Sequence, residues 1–162
     1  VAVRTEARVL LCATPEQALA ELGAMLENPS ALIRLASLRT VTRHGVRGAW
    51  PTIARLVNAK NFNELGSDER RELLRALVSL SPERGEPVAL DIAKKGGVLV
   101  SEEREVTRTI AAEVLGDVSR SVGCASSLAE LSNSRWGVSE ETRAAASAAS
   151  KKIMARVEGG SA

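Results

Sequence analysis

The sequence predicts an all-α chain made of a row of similar helix pairs. Three regularities predict it. First, serines that read as helix starts recur at Ser30, Ser67, Ser101 and Ser139, at spacings of 37, 34 and 38 residues, the last three in "SDER", "SEER" and "SEET". A serine hydroxyl accepts a hydrogen bond from an unpaired N–H of the first turn, and the acids that follow favour the positive end of the helix dipole. Second, Arg34, Arg70, Arg108 and Arg143 recur at spacings of 36, 38 and 35. Each has small or apolar residues three, four and seven positions later, on one helical face. Third, the segments between carry apolar pairs three apart: Leu19 and Leu22, Ile53 and Leu56, Ala89 and Ile92, Leu128 and Leu131. A fixed period of this size marks a repeat array whose units bury their apolar faces against one another.

The elements follow in order. Residues 3–12 place Val3, Ala7, Leu10 and Leu11 on one face and read as an N-terminal helix left over from a preceding unit. The first pair is 15–27 with 30–44. Thr14 and Gln17 form a capping box before Pro15, a residue suited to the first helical position. The second pair is 50–59 with 68–80, opened by Pro51. Its long internal turn, "NAKNFNELGSD", carries Phe62 and Leu65 as packing residues, and Trp136 in the matching turn of the fourth pair reads the same way. The third pair is 85–95 with 101–116, across "GGVLVS", a loop with apolar plugs. The fourth is 122–132 with 139–157. Breaks are placed at Gly45 and Gly48, Gly96–Gly97, Gly116, Gly123 and Gly137. The whole of 1–158 reads as a single repeat domain, with 159–162 a flexible tail.

Composition agrees with closely packed helices. Apolar residues make up 44%, but aromatics only 2%: Trp50, Phe62 and Trp136. The core must therefore be Leu, Val, Ile and Ala. The net charge of +2 does not by itself point to nucleic acid or an anionic membrane. The apolar run Val9–Ala13 is far short of a membrane span, and no leader pattern is visible. The chain begins at Val and is expected to be a piece of a longer protein. Cys12 and Cys124 fit neither metal spacing nor a disulfide framework and read as reduced, packed thiols of a cytoplasmic protein. No metal or cofactor is expected. One His, no Tyr and no phosphate-binding glycine loop leave little from which to build catalysis, so an enzyme is not expected.

"VTRTIAAEVLG" at Val106–Gly116, "SSLAEL", the Trp-containing turn and "ETRAAASAA", together with "NPSALIRLASL" at Asn28–Leu38, resemble the HEAT-repeat family. Its units are helix pairs with an Arg near the start of the second helix and an Ala pair just after. Leu73–Leu74 depart from the small residues usual there, and the Asp common in the family's turns is mostly missing. The resemblance implies an α-solenoid of about four HEAT-like pairs. It further implies a macromolecule-binding role without chemistry, as in HEAT segments of larger bacterial regulatory proteins.

Two sets of residues are candidates for function. The arginine series points toward the core. With Glu105 and Glu140 three residues before Arg108 and Arg143, it reads as a salt-bridged seam between units, the competing reading being an anion site. The positions five and nine after each arginine point outward: Arg39 and Arg43, Arg75 and Ser79, Glu113 and Asp117, Ala148 and Lys152. Adjacent second helices line the binding face of such arrays. Arg39, Arg43 and Arg75 would then anchor an acidic or helical segment of a partner protein, the competing reading being a solvated face. The expected function is a non-catalytic docking module that meets another protein or the rest of its own parent chain. The alternative is a nucleic-acid binder using the basic patch of the first two repeats and the Trp in "TRHGVRGAWP".

Overall fold

A computed structural model describes residue 4 and residues 14–96, 101–134 and 136–159. The expected helix over 3–12, Cys12, most of the "GGVLVS" loop and residues 160–162 of the tail lie outside the described residues. The described residues are all-helical, with no strand among them. Among the described residues eight α-helices with defined bounds run in order: α1 (Pro15–Leu26), α2 (Ala31–Arg43), α3 (Trp50–Val57), α4 (Ser67–Leu80), α5 (Pro82–Lys94), α6 (Glu102–Val118), α7 (Val122–Ser132) and α8 (Glu140–Gly159). Each agrees with one half of a pair inferred from the sequence. None is long and apolar enough to cross a membrane. The contacts group into two compact units, residues 1–81 and 82–162.

Unit 1 holds α1–α4. Thr14 Oγ1 accepts from the Gln17 N–H at 3.2 Å and caps α1. Ser30 is the N-cap of α2 but makes no side-chain cap bond. Its own N–H instead donates to Asn28 Oδ1 at 2.9 Å, so the preceding asparagine organises the turn. α2 ends in a left-handed glycine, Gly45 at φ 61°, with the Val46 N–H reaching the Val41 carbonyl at 3.0 Å. Gly66, not Ser67, is the N-cap of α4; Ser67 lies inside the helix, where its hydroxyl receives Arg70 Nη2 at 3.3 Å. α2 packs on α1 and on α4, and α3 packs on α4. The core is aliphatic apart from Phe62: Leu22, Leu26, Leu38, Val41, Ile53, Leu73, Leu74 and Leu77 are buried. Trp50 is the first residue of α3, and its indole N–H donates to the Leu77 carbonyl of α4 at 3.0 Å.

Unit 2 holds α5–α8. α5 starts at Pro82, three residues before the expected 85. Pro82 needs no N–H at the first helical position, and the helix tolerates Pro87 within it. Ser101 and Ser139 accept from the N–H groups of Arg104 at 3.4 Å and Thr142 at 3.1 Å, as the serine pattern predicted. A further cap, Ser121 Oγ to the Cys124 N–H at 3.2 Å, has no acids after it and escaped that pattern. Gly116 is not a break. A side chain there would lie 2.7 Å from Ala149 Cα, so the glycine lets α6 and α8 touch while α6 runs on to Val118. Gly123 likewise sits inside the first turn of α7. α6 packs on α5 and α8, and α7 packs on α8. Cys124 is buried, and that burial pushes its thiol pKa up, as expected for an inert packed cysteine.

Candidate functional site

Two arginines of the series, Arg34 and Arg108, each anchor a polar seam inside one unit. In unit 1, Arg34 of α2 reaches Glu69 of α4 with both edges of its guanidinium: Nε to Oε1, and Nη2 to Oε2 at 2.8 Å. Its Nη1 donates to the carbonyls of Asn28 and Pro29 at 2.6 and 2.9 Å. The bond to Glu69 outweighs partial burial and holds Arg34 more firmly protonated than usual. In unit 2 the seam starts from Arg108, which is only 2% exposed. It donates to the Ala93 carbonyl at 3.1 Å, to Glu105 Oε2 at 2.7 Å and to the Gly137 carbonyl at 2.8 Å. The other oxygen of Glu105 crosses to α8, where it accepts from the Ser139 N–H at 2.9 Å and the Thr142 hydroxyl at 3.0 Å. Desolvation pushes the Glu105 pKa up. The bonds from Ser139, Arg108 and Thr142 push it down further, and the net result lies below the ordinary carboxylate value. Arg70 is buried and Arg143 is half-buried; the Nε of each is buried without a hydrogen bond among the described residues, and Glu140, expected beside Arg143, is exposed.

The outward set behaves differently. On α2 the exposed residues are Ala31, Leu32, Arg39 and Arg43, and the helix holds no acid. Arg39 Nε meets Glu72 Oε1 of α4 at 3.2 Å, with the Arg39 side chain 60% exposed and Glu72 only 13%. Arg75 is half-buried and Ser79 exposed on α4. The equivalent line in unit 2 joins Asp117 of α6 to Lys152 of α8 at 3.2 Å, with Glu113 half-buried beside it. Arg39, Arg43 and Arg75 thus lie on two adjacent, contacting helices of one unit, with Glu72 among them. Sequence reasoning missed Glu72 and Leu32. Leu32 stands two residues before Arg34, as Val106 stands two before Arg108, and that register is the signal that could have found it.

Each unit also carries a concavity among its described residues. In unit 1 a cavity of about 430 Å³ is lined by Leu38, Leu56, Leu65 and Leu73 around Arg34 and Glu69. Its polar groups bond to one another: Arg34 to Glu69, and Arg55 to Glu27 across its rim. In unit 2 an open cavity of about 530 Å³ is lined by Lys94, Glu130, Leu131, Ser134, Trp136 and Val138. Trp136 is 89% exposed there, contrary to the packing role read from the sequence. The turn spends its backbone on Arg108: Gly137, at φ 69°, turns its carbonyl inward to the guanidinium and the neighbouring indole is carried outward. Phe62 and Leu65, by contrast, are buried and half-buried as expected. Among the described residues no cluster of His, Cys, Asp and Glu could hold a metal ion. Comparison of the chain with protein-family models, curated proteins and solved structures gives no match.

Proposed function

We propose that the chain is a non-catalytic docking module, a HEAT-like α-solenoid that binds an acidic segment of a partner protein on the second-helix face of unit 1. One observation carries the reading. α2 carries no acid and turns two arginines to solvent, and the contacting helix α4 adds Arg75 beside them. Arg34 and Arg108 make their ion pairs inside the units, whereas Arg39 and Arg43 are exposed. The packing within each unit, second helix on second helix, supports a HEAT-like arrangement. The nucleic-acid alternative draws less support. The Trp50 ring, which would have to stack on bases, is half-buried and hydrogen-bonded to Leu77.

The test is titration calorimetry of the full chain with a polyglutamate peptide. Replacing Arg39, Arg43 and Arg75 together by Glu reverses the local field, and binding should weaken by on the order of a hundredfold. The circular dichroism spectrum should stay unchanged. Equal affinity of the two proteins would remove this surface from consideration. A DNA complex that forms at low salt and dissolves steeply as salt rises would favour the nucleic-acid reading instead.

A further inference from the structure

The docking face of unit 1 has a second property besides charge. Leu32 is 66% exposed, the most exposed large aliphatic side chain among the described residues of unit 1. At 3.6 residues per turn, Leu32, Arg39 and Arg43 fall within about 40° of one another around α2. They form one straight stripe, with Leu32 about 10 Å before Arg39 and the two arginines about 6 Å apart. Half-buried Leu35 borders the apolar end of the stripe. The basic end is set by α4: Glu72 takes only the Nε of Arg39, and the two terminal nitrogens of Arg39 have no hydrogen bond among the described residues. A guanidinium pinned by its inner edge presents an oriented, open fork, the geometry that pairs with a carboxylate through two parallel bonds.

Resting on the reading that this face binds an acidic partner, we propose that the partner is an amphipathic α-helix with a defined register. It carries an apolar residue that covers Leu32, and two carboxylates one turn apart that meet Arg39 and Arg43, two turns further along. Two arguments point to a helix. The stripe has helical spacing along its whole length. The surface is built from two helices whose own backbone groups are already paired, so it offers no ladder to an extended chain. An extended segment lying there would leave its N–H and C=O groups to water, whereas a helix satisfies its own. Charge supplies the sign of the partner, since α2 contributes arginine and no acid. Leu32 supplies the apolar anchor at one end only, which fixes direction and register in a way that charge alone does not.

The experiment uses the full chain and synthetic helical peptides of one composition. In the matched peptide, one Leu and two Glu sit on one face at the stated spacing, in either chain direction. In the control, the two Glu move to the opposite face. The matched peptide should bind about tenfold more tightly than the control by calorimetry. That advantage should vanish in Leu32→Ala, a variant at an exposed helical position where alanine is well tolerated. Equal binding of matched and control peptides, with the polyglutamate result intact, would overturn this inference and leave the docking reading standing. Absence of binding by every acidic probe would remove both. Self-association of the chain that Leu32→Asp abolishes would show that the occupant is a second copy, and would likewise overturn the inference.

Discussion

The two units use the same register and invert its charge. Two residues before the seam arginine stand Leu32 in unit 1 and Val106 in unit 2; five and nine residues after it stand Arg39 and Arg43 in the one, Glu113 and Asp117 in the other. Each outward line is tied to the next second helix by an ion pair of opposite polarity, Arg39 to Glu72 and Asp117 to Lys152. The seams differ in another way. Unit 1 closes its seam with a direct arginine–carboxylate fork between helices. Unit 2 buries the arginine almost completely and sends the carboxylate across to Ser139 and Thr142. Inside, then, the arginine recurs at the same position while its carboxylate comes from the neighbouring second helix in unit 1 and from the same helix in unit 2. Outside, the sign differs between the units, and that difference is what the proposed docking would read.

The comparison can be broken at the seam first. Arg108→Ala strips a buried guanidinium from Glu105 and from two carbonyls, and should destabilise unit 2 by about 3–5 kcal/mol. Arg34→Ala, whose side chain keeps 19% exposure, should cost less, about 1–3 kcal/mol. Urea unfolding monitored by amide exchange in α6 and in α2 measures both, and equal losses would contradict the contrast.

Glycine should separate the units by sign. Gly116→Ala forces a methyl group against Ala149 and should cost about 1–3 kcal/mol, despite alanine's higher helix propensity. Gly23→Ala in α1 meets no atom within 4 Å and should stabilise by about 0.5–1 kcal/mol. Thermal unfolding of the two variants should therefore move in opposite directions.

Acid should act on unit 2 through Glu105. Its folded pKa lies below the ordinary value, so its contribution is complete above the unfolded pKa and is lost as pH falls through the folded one. Protection of α6 and α8 amides should decline across the acidic side of the carboxylate range, and Glu105→Gln should flatten that decline. The smallest effect belongs to the exposed face. Arg39→Ala should change stability by no more than about 1 kcal/mol, since the Arg39 side chain is 60% exposed even though Glu72 is not.

Much of this was legible in the chain. The arginine phase placed Ser37, Leu38 and Val41, Leu73, Leu74 and Leu77, and Ala111, Ala112 and Leu115 in the interior, because a helix face is a local periodicity. The capping serines at Ser101 and Ser139 were readable because the bond is local. The signal failed where the outcome depends on a distant neighbour. Gly116 looks like a helix end until Ala149 is seen against it, and Trp136 looks like packing until Gly137 is seen held by Arg108. Serine alone could not say whether it or its neighbour caps: Ser67 ceded that place to Gly66, while Ser121 took it without acids. Within the proposed docking face, the arginines followed from helical geometry, but Glu72 was hidden because its ion pair lies between helices rather than along one.

The most direct test is hydrogen–deuterium exchange of the full chain with and without an acidic helical peptide. Added protection should appear in α2 and α4, and charge reversal at Arg39, Arg43 and Arg75 should abolish it. Protection confined to α6 and α8, or unchanged by that reversal, would contradict the account.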